Sequence, residues 1–223
     1  MEVPIAKLIE DEFHIPTRVD NDVRCAALGE LNYGAGKGCE NLICITVGTG
    51  IGSGLIVNGK LVRGASNAAG EIGHIKLHDG PICGCGDTGC MEAFASGPSI
   101  VAMAEDYIRG GKSTKFREMA NGNPITPFIV CEAAKAGDPV ALRIFNIMGE
   151  YIGIGMASVV NLLNPERIIV GGGVADAGDL LLNPLKETLY KRAMKIAGSA
   201  VEVVPAQLGN TAGVIGASLL IES

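Results

Sequence analysis

Apolar positions recur at helical spacing in Ile5, Leu8, Ile9 and Phe13, which predicts a helix over residues 4–13. Residues 17–20 read as a short strand, and Asn21 or Asp22 can cap the helix that follows to about residue 32. LICITV, residues 42–47, is a β-rich apolar run, and GTGIGSG, residues 48–54, reads as a tight turn. Residues 55–57 and 60–62 flank Asn58-Gly59, a strong short-range hairpin signal. A further strand is expected at 73–77, and then a Gly- and Cys-rich loop at 79–89. Residues 99–108 are helical, whereas 112–127 are polar and broken and predict an exposed loop. Helices follow at 126–136 and 138–163, the second capped by Asp138 and ended before Pro165. RIIV, residues 167–170, is a buried strand leading into Gly171-Gly172-Gly173; helix 180–196, strand 201–204 and helix 212–221 complete the chain. A hairpin followed by alternating helices and strands makes an α/β domain with a mixed sheet.

Composition narrows the classes. The 223 residues fit one large domain, or one with a small appendage, and a chain of this length buries roughly 70% of its unfolded surface. With 48% hydrophobic and 19% charged residues it is not a disordered chain. The net charge is −6, and the nearest basic grouping (Lys186, Lys191, Arg192, Lys195) is spaced like the solvated side of one helix, so no nucleic-acid partner is expected. Residues 1–13 carry Glu2, Lys7, Glu10, Asp11 and Glu12 instead of a signal core. The longest apolar stretch, 151–163, is short and interrupted by Gly153, Gly155, Ser158 and Asn161, so no membrane span is expected and the setting reads as cytoplasmic.

Of seven cysteines, Cys25, Cys39, Cys44 and Cys131 are scattered and read as small core residues. An odd count without a signal segment argues against a disulfide framework. Cys83, Cys85 and Cys90 fall within eight residues, interleaved with Gly84, Gly86 and Gly89 and preceded by His74. Three thiolates and an imidazole make a closed tetrahedral Zn2+ site that braces a loop and leaves no position open for water. By spacing alone, His78 competes with His74 as the fourth ligand.

The run GEIGHIKLHDGPICGCGDTGCMEAFASG, residues 70–97, resembles the signature of the ROK family (repressor, open reading frame, kinase): G-E-x-G-H, then C-x-C-G-x-x-G-C-x-E. The resemblance implies the actin-like ATPase (ribonuclease H-like) fold, a sugar kinase, and His74 as both zinc ligand and sugar contact. It places sugar-hydroxyl contacts on Glu71, His74 and Glu92. Val19-Asp20-Asn21-Asp22 is similar to the family's Glu-Asn-Asp-Ala-Asn segment, which implies Asp22 as general base and Asn21 as a sugar ligand. Asp20 stands where the pattern has Glu, and Val23-Arg24 where it has Ala-Asn. Gly48-Thr49-Gly50 would be a phosphate loop with Thr49 facing the phosphates, although the glycine run by itself fits a plain hairpin equally well. Gly172 and Gly173 would lie on the adenosine side. The implied ligands are a hexose, glucose foremost, and ATP with Mg2+.

The fold this implies opens with a lobe carrying Asp-x-Gly-x-Thr, and no such motif precedes Gly48 here. Residues 1–20 are therefore expected to be a remnant of that lobe and 21–223 the second lobe, with the sugar site, zinc loop and nucleotide loops; weak or no turnover is expected of the chain alone. The alternative reading is the sugar-sensing half of a ROK transcriptional regulator. The resemblance also implies a homodimer, for which the apolar face of residues 138–163 would serve unless it is core.

Overall fold

The structure, a computed structural model, describes residues 3–221. Its frame is a five-stranded sheet built from β1 (Leu42–Val47), β2 (Ile51–Val57), β3 (Lys60–Leu61), β4 (Arg167–Gly171) and β5 (Glu202–Pro205) in the order β3-β2-β1-β4-β5. β1, β2 and β3 pair antiparallel as a meander; β4 pairs parallel with β1, and β5 with β4. Asn58 and Gly59 both take positive φ at the β2–β3 turn, as the hairpin signal requires.

The helices are α1 (Ile5–Phe13), α2 (Asp22–Tyr33), α3 (Met91–Ala95), α4 (Gly97–Arg109), α5 (Phe116–Ala120), α6 (Pro127–Lys135), α7 (Pro139–Leu163), α8 (Asp179–Arg192), α9 (Lys195–Ala200) and α10 (Ala212–Ser218). Alternation along β1 assigns them to two layers. Ile43, Ile45 and Val47 face the larger core with α3, α4 and α6 to α8, while Leu42 and Cys44 face the smaller one with α2 and Leu220. The mixed sheet covered on both sides is the α/β architecture expected from the pattern.

α7 is capped by Asp138, which accepts from Val140 N and Ala141 N at 2.9 Å each. By length and composition α7 is long and apolar enough to cross a membrane, but 61% of its most apolar stretch is buried within the protein. The buried side of α7 is therefore core. Gly149 and Gly153 let the backbone of α8 lie directly against it.

Several expectations are corrected. Residues 17–20 form no strand, because Thr17 N is held by Glu10 Oε1 and no neighbouring strand receives the segment. Residues 73–77 are not a strand either: Ile72–His74 is a 3₁₀ turn and Lys76 makes one isolated bridge to Cys90. The glycine run is a turn only over residues 48–50; from Ile51 it is strand. The loop at 112–127 contains α5, whose Phe116 is fully buried. Helix 180–196 breaks at Ala193–Met194, where Met194 N donates to Asn161 Oδ1, so the four cations of residues 186–195 lie on two helices. α1 forms as expected, but none of its residues is fully buried; Leu8 and Phe13 are exposed.

Candidate functional site

The site gathers around the first half of β2. Gly52 lies under the Val23 side chain and Gly54 under Ala27, so a Cβ at either would collide with α2. On its other contacts, Ile51 O abuts Gly73, and the Ser53 hydroxyl donates to Gly70 O. One strand thus seats both the N-terminus of α2 and the segment that carries Glu71 and His74.

The donor atoms of His74, Cys83, Cys85 and Cys90 all lie within 4.8 Å of one another. His74 Nδ1 is 3.6 Å from Cys83 Sγ, and Cys85 Sγ is 3.8 Å from Cys90 Sγ. A tetrahedron with Zn–S of about 2.3 Å and Zn–N of about 2.05 Å has S···S edges of roughly 3.8 Å and N···S edges of roughly 3.6 Å, so the donor set fits Zn2+. Without a cation, burial and the hydrogen-bonded neighbouring thiols push the Cys90 thiol up to about 12, and burial also raises Cys83; a hydrogen bond with the Asp87 backbone lowers Cys85. A bound metal would supply the missing positive charge. His78 stands outside the cluster. Its Nδ1 bonds Asp79 O at 2.7 Å, and its ring packs on Phe94 and Tyr151 at 4.6 and 5.6 Å.

Glu71 is exposed, and its Oε2 is 4.0 Å from His74 Nε2, the ring nitrogen that faces away from the cysteines. Glu92 is more committed. Its Oε2 accepts from Ile51 N at 2.8 Å and lies against Gly50, and its Oε1 is 3.6 Å from the Cys83 sulfur. Gly50 is therefore where the metal loop's carboxylate meets the turn, and it borders neither cavity described below.

At the other end, the Asn21 side chain caps α2, accepting from Val23 N and Arg24 N at 3.0 and 3.2 Å. Asp22 is the first residue of the helix and is exposed; its Oδ1 accepts from Val23 N at 2.8 Å, and its second oxygen has no hydrogen bond among the described residues. Asp22 lines a cavity of about 410 Å³ together with Thr46, Gly172, Gly173 and Asp176. A second cavity of about 640 Å³ is bordered by Gly48, Thr49, Gly173 and Asp176 and walled by Pro98, Val101, Phe128 and Val174. Gly173 and Asp176 belong to both, so the two cavities adjoin; both volumes are in the range of small-molecule sites. Gly172 takes φ +88°, and a Cβ there would run into the Val47 backbone at 2.5 Å.

Two groups escaped the sequence reading. Glu30 is fully buried, and its carboxylate accepts from Ala35 N at 2.7 Å, Leu208 N at 2.8 Å and Gln207 N at 3.0 Å, tying the end of α2 to the loop after β5. Arg24 is also buried, in an ion pair with Asp20. Two of the three N–H groups that Glu30 holds, those of Gln207 and Leu208, lie 177 and 178 residues away, and a lone acid or base in a helix carries no signal of burial.

A model of the ROK family matches residues 1–223. The glucokinase of Halalkalibacterium halodurans is 39% identical over 224 residues, covering 99% of this chain and 68% of that protein. Among solved structures, a ROK family glucokinase from Streptomyces griseus in complex with glucose and AMPPNP superposes with a TM-score of 0.86 at 37% identity, over 99% of this chain and 73% of that one. A ROK family transcriptional regulator, a homologue of the E. coli MLC protein, superposes with a TM-score of 0.90 at 29% identity, over 98% of this chain and 55% of its own length.

Proposed function

The chain belongs to the ROK family, with its actin-like ATPase fold, and from that premise we propose that it is a hexose kinase part that transfers the γ-phosphoryl group of ATP to glucose, giving glucose 6-phosphate. The observation that carries this reading is the placement of the Asp22 carboxylate, one oxygen free, in the cavity that also holds Gly172 and Gly173. Asp22 takes the proton of the attacking sugar hydroxyl as that oxygen bonds to phosphorus and the bond to the β-phosphate oxygen breaks, releasing ADP. Phosphoryl transfer asks mainly for positioning and charge stabilisation, so one carboxylate and a rigid frame suffice on this side of the reaction. Asn21, Glu71 and His74 bind the sugar hydroxyls, with His74 held by the cluster and its Nε2 free to donate. Glu92 contributes to the sugar through whichever lone pairs Ile51 N–H leaves it. Thr49 and the Gly48–Gly50 turn face the phosphates, and the apolar 640 Å³ cavity takes the adenine. Zn2+ on His74, Cys83, Cys85 and Cys90 serves as a brace, and Mg2+ accompanies ATP to offset phosphate charge.

This reading keeps residues 1–20 with the first lobe of the family fold and 21–223 as the second, in a cytoplasmic homodimer. A second reading, the sugar-sensing part of a regulator, is favoured by the TM-score of 0.90 to the regulator. Calorimetry with glucose, together with a coupled ATP assay over a hexose panel, separates the two. Sugar binding with turnover that Asp22→Asn abolishes supports the kinase; sugar binding without turnover in the presence of the complete protein supports the sensor; absence of binding to any hexose rejects both.

A further inference from the structure

The departures Asp20 and Arg24 meet in the structure. Arg24 Nε lies 3.2 Å from Asp20 Oδ1, and the two side chains are only 9% and 6% exposed. The other Asp20 oxygen accepts from Arg63 Nε at 2.8 Å, and Oδ1 also accepts from Asn21 N at 2.8 Å. Arg24 then reaches across with its NH2 group to donate to Asn67 O at 2.6 Å. Three separate stretches are thereby closed on one another: residues 20–24, the residue after the β2–β3 hairpin, and the loop that runs into Glu71.

We infer that Asp20 and Arg24 are one compensated unit and that Arg24 is a positioning residue, registering the helix that starts with Asp22 against the loop that delivers Glu71. The part that concerns sugar rests on the reading proposed above; the registration of the loop does not. Three observations carry it. Among the described residues the Glu71 carboxylate pairs with His74 alone, at 4.0 Å, so its place is set by the backbone before it. That backbone is pinned at two points, Asn67 by Arg24 and Gly70 by Ser53, and both residues take left-handed φ, +58° and +93°. Arg24 Nη1 is buried and has no hydrogen-bond partner among the described residues. A side chain kept only for stability would not leave a buried donor unanswered beside a guanidinium excess of two to one, whereas one kept for where it holds Asn67 would.

The test is hydrogen exchange by mass spectrometry across residues 63–71, with glucose affinity by calorimetry, in R24N, D20E and the D20E/R24N pair. R24N is expected to speed exchange in 64–71 by about tenfold while β1 and α7 keep their protection, and to weaken glucose by about tenfold. The pair, which lacks the donor to Asn67 O just as R24N does, is expected to exchange in 64–71 as fast as R24N, and D20E alone more slowly than either. Unchanged exchange in 64–71 of a folded R24N, or a pair that regains the parent's protection without the Arg24 donor, overturns the inference. Should R24N fail to fold, R24K keeps a charge facing Asp20 but cannot also hold Asn67 O, and the same exchange readout decides. If the parent itself binds no glucose, the kinase reading fails while the exchange result still rules on Arg24.

Discussion

The Cys83–Cys90 loop and the start of α2 each seat acidic groups against β2, by different physics. The loop has almost no apolar anchoring of its own: Cys85 is exposed, Gly84 and Gly86 have open space beside them, and its order depends on four soft donors within 4.8 Å. The start of α2 is held by a side-chain cap, a buried carboxylate between two guanidiniums and close seating on glycines of β2. A metal-dependent brace is all-or-none and external, whereas a network of charges and packing is graded and always present. The two regions should therefore fail differently.

The largest effect belongs to the loop. Cys83→Ser, or prolonged chelation, is expected to take bound zinc from one equivalent to nearly none and to lower stability by several kcal/mol, read by atomic emission and thermal melting. A melt indifferent to chelation would remove the metal side of the contrast. Next comes Asp22→Asn, expected to cut kcat by about 10²–10⁴-fold while sugar affinity stays within about threefold, because the general base is lost and the α2 network is untouched. Glu30→Ala, at the far end of α2, strips three backbone N–H groups of their acceptor and is expected to cost about 3 kcal/mol in urea unfolding at unchanged zinc content. A coupled loss of zinc would show that the two regions are one unit. The smallest effect is at Glu166, on the surface, where the N–H groups of Asn41 and Glu40 hold the carboxyl below its usual range. A lowered folded value gives stability that is present above the ordinary Glu value of about 4.3 and is lost as pH falls through the folded one. Glu166→Gln is thus expected to be slightly less stable than the parent at neutral pH and to match it in acid, which flattens the acid limb of the stability curve.

The contrast also explains what the sequence made legible. β1 and α7 were readable because a buried six-residue apolar run and an Asp-capped, Pro-started helix are local signals. The cluster was readable because its cysteines sit close together, and the ambiguity between His74 and His78 closed only when the 3₁₀ turn aimed one ring at the sulfurs and Phe94 and Tyr151 drew the other away. Ile75, Lys76 and Leu77 alternate as a strand should, but no neighbouring strand receives them and the metal loop dictates their path. α3 went unread since it is five residues long with no side-chain cap. The Asp20–Arg63 contact was invisible for a plainer reason: its partners lie 43 residues apart, and charge in a sequence says nothing about who answers it.

The carboxylate of Glu92 makes the first amide of β2 a listening post. Ile51 N–H has Glu92 as its acceptor, and the same carboxylate touches Cys83, so any event that shifts the sulfurs is felt by a proton two residues from Thr49. In a nuclear magnetic resonance spectrum that one amide would report filling or emptying of the cluster from the end of the Gly48–Gly50 turn, with no ligand added.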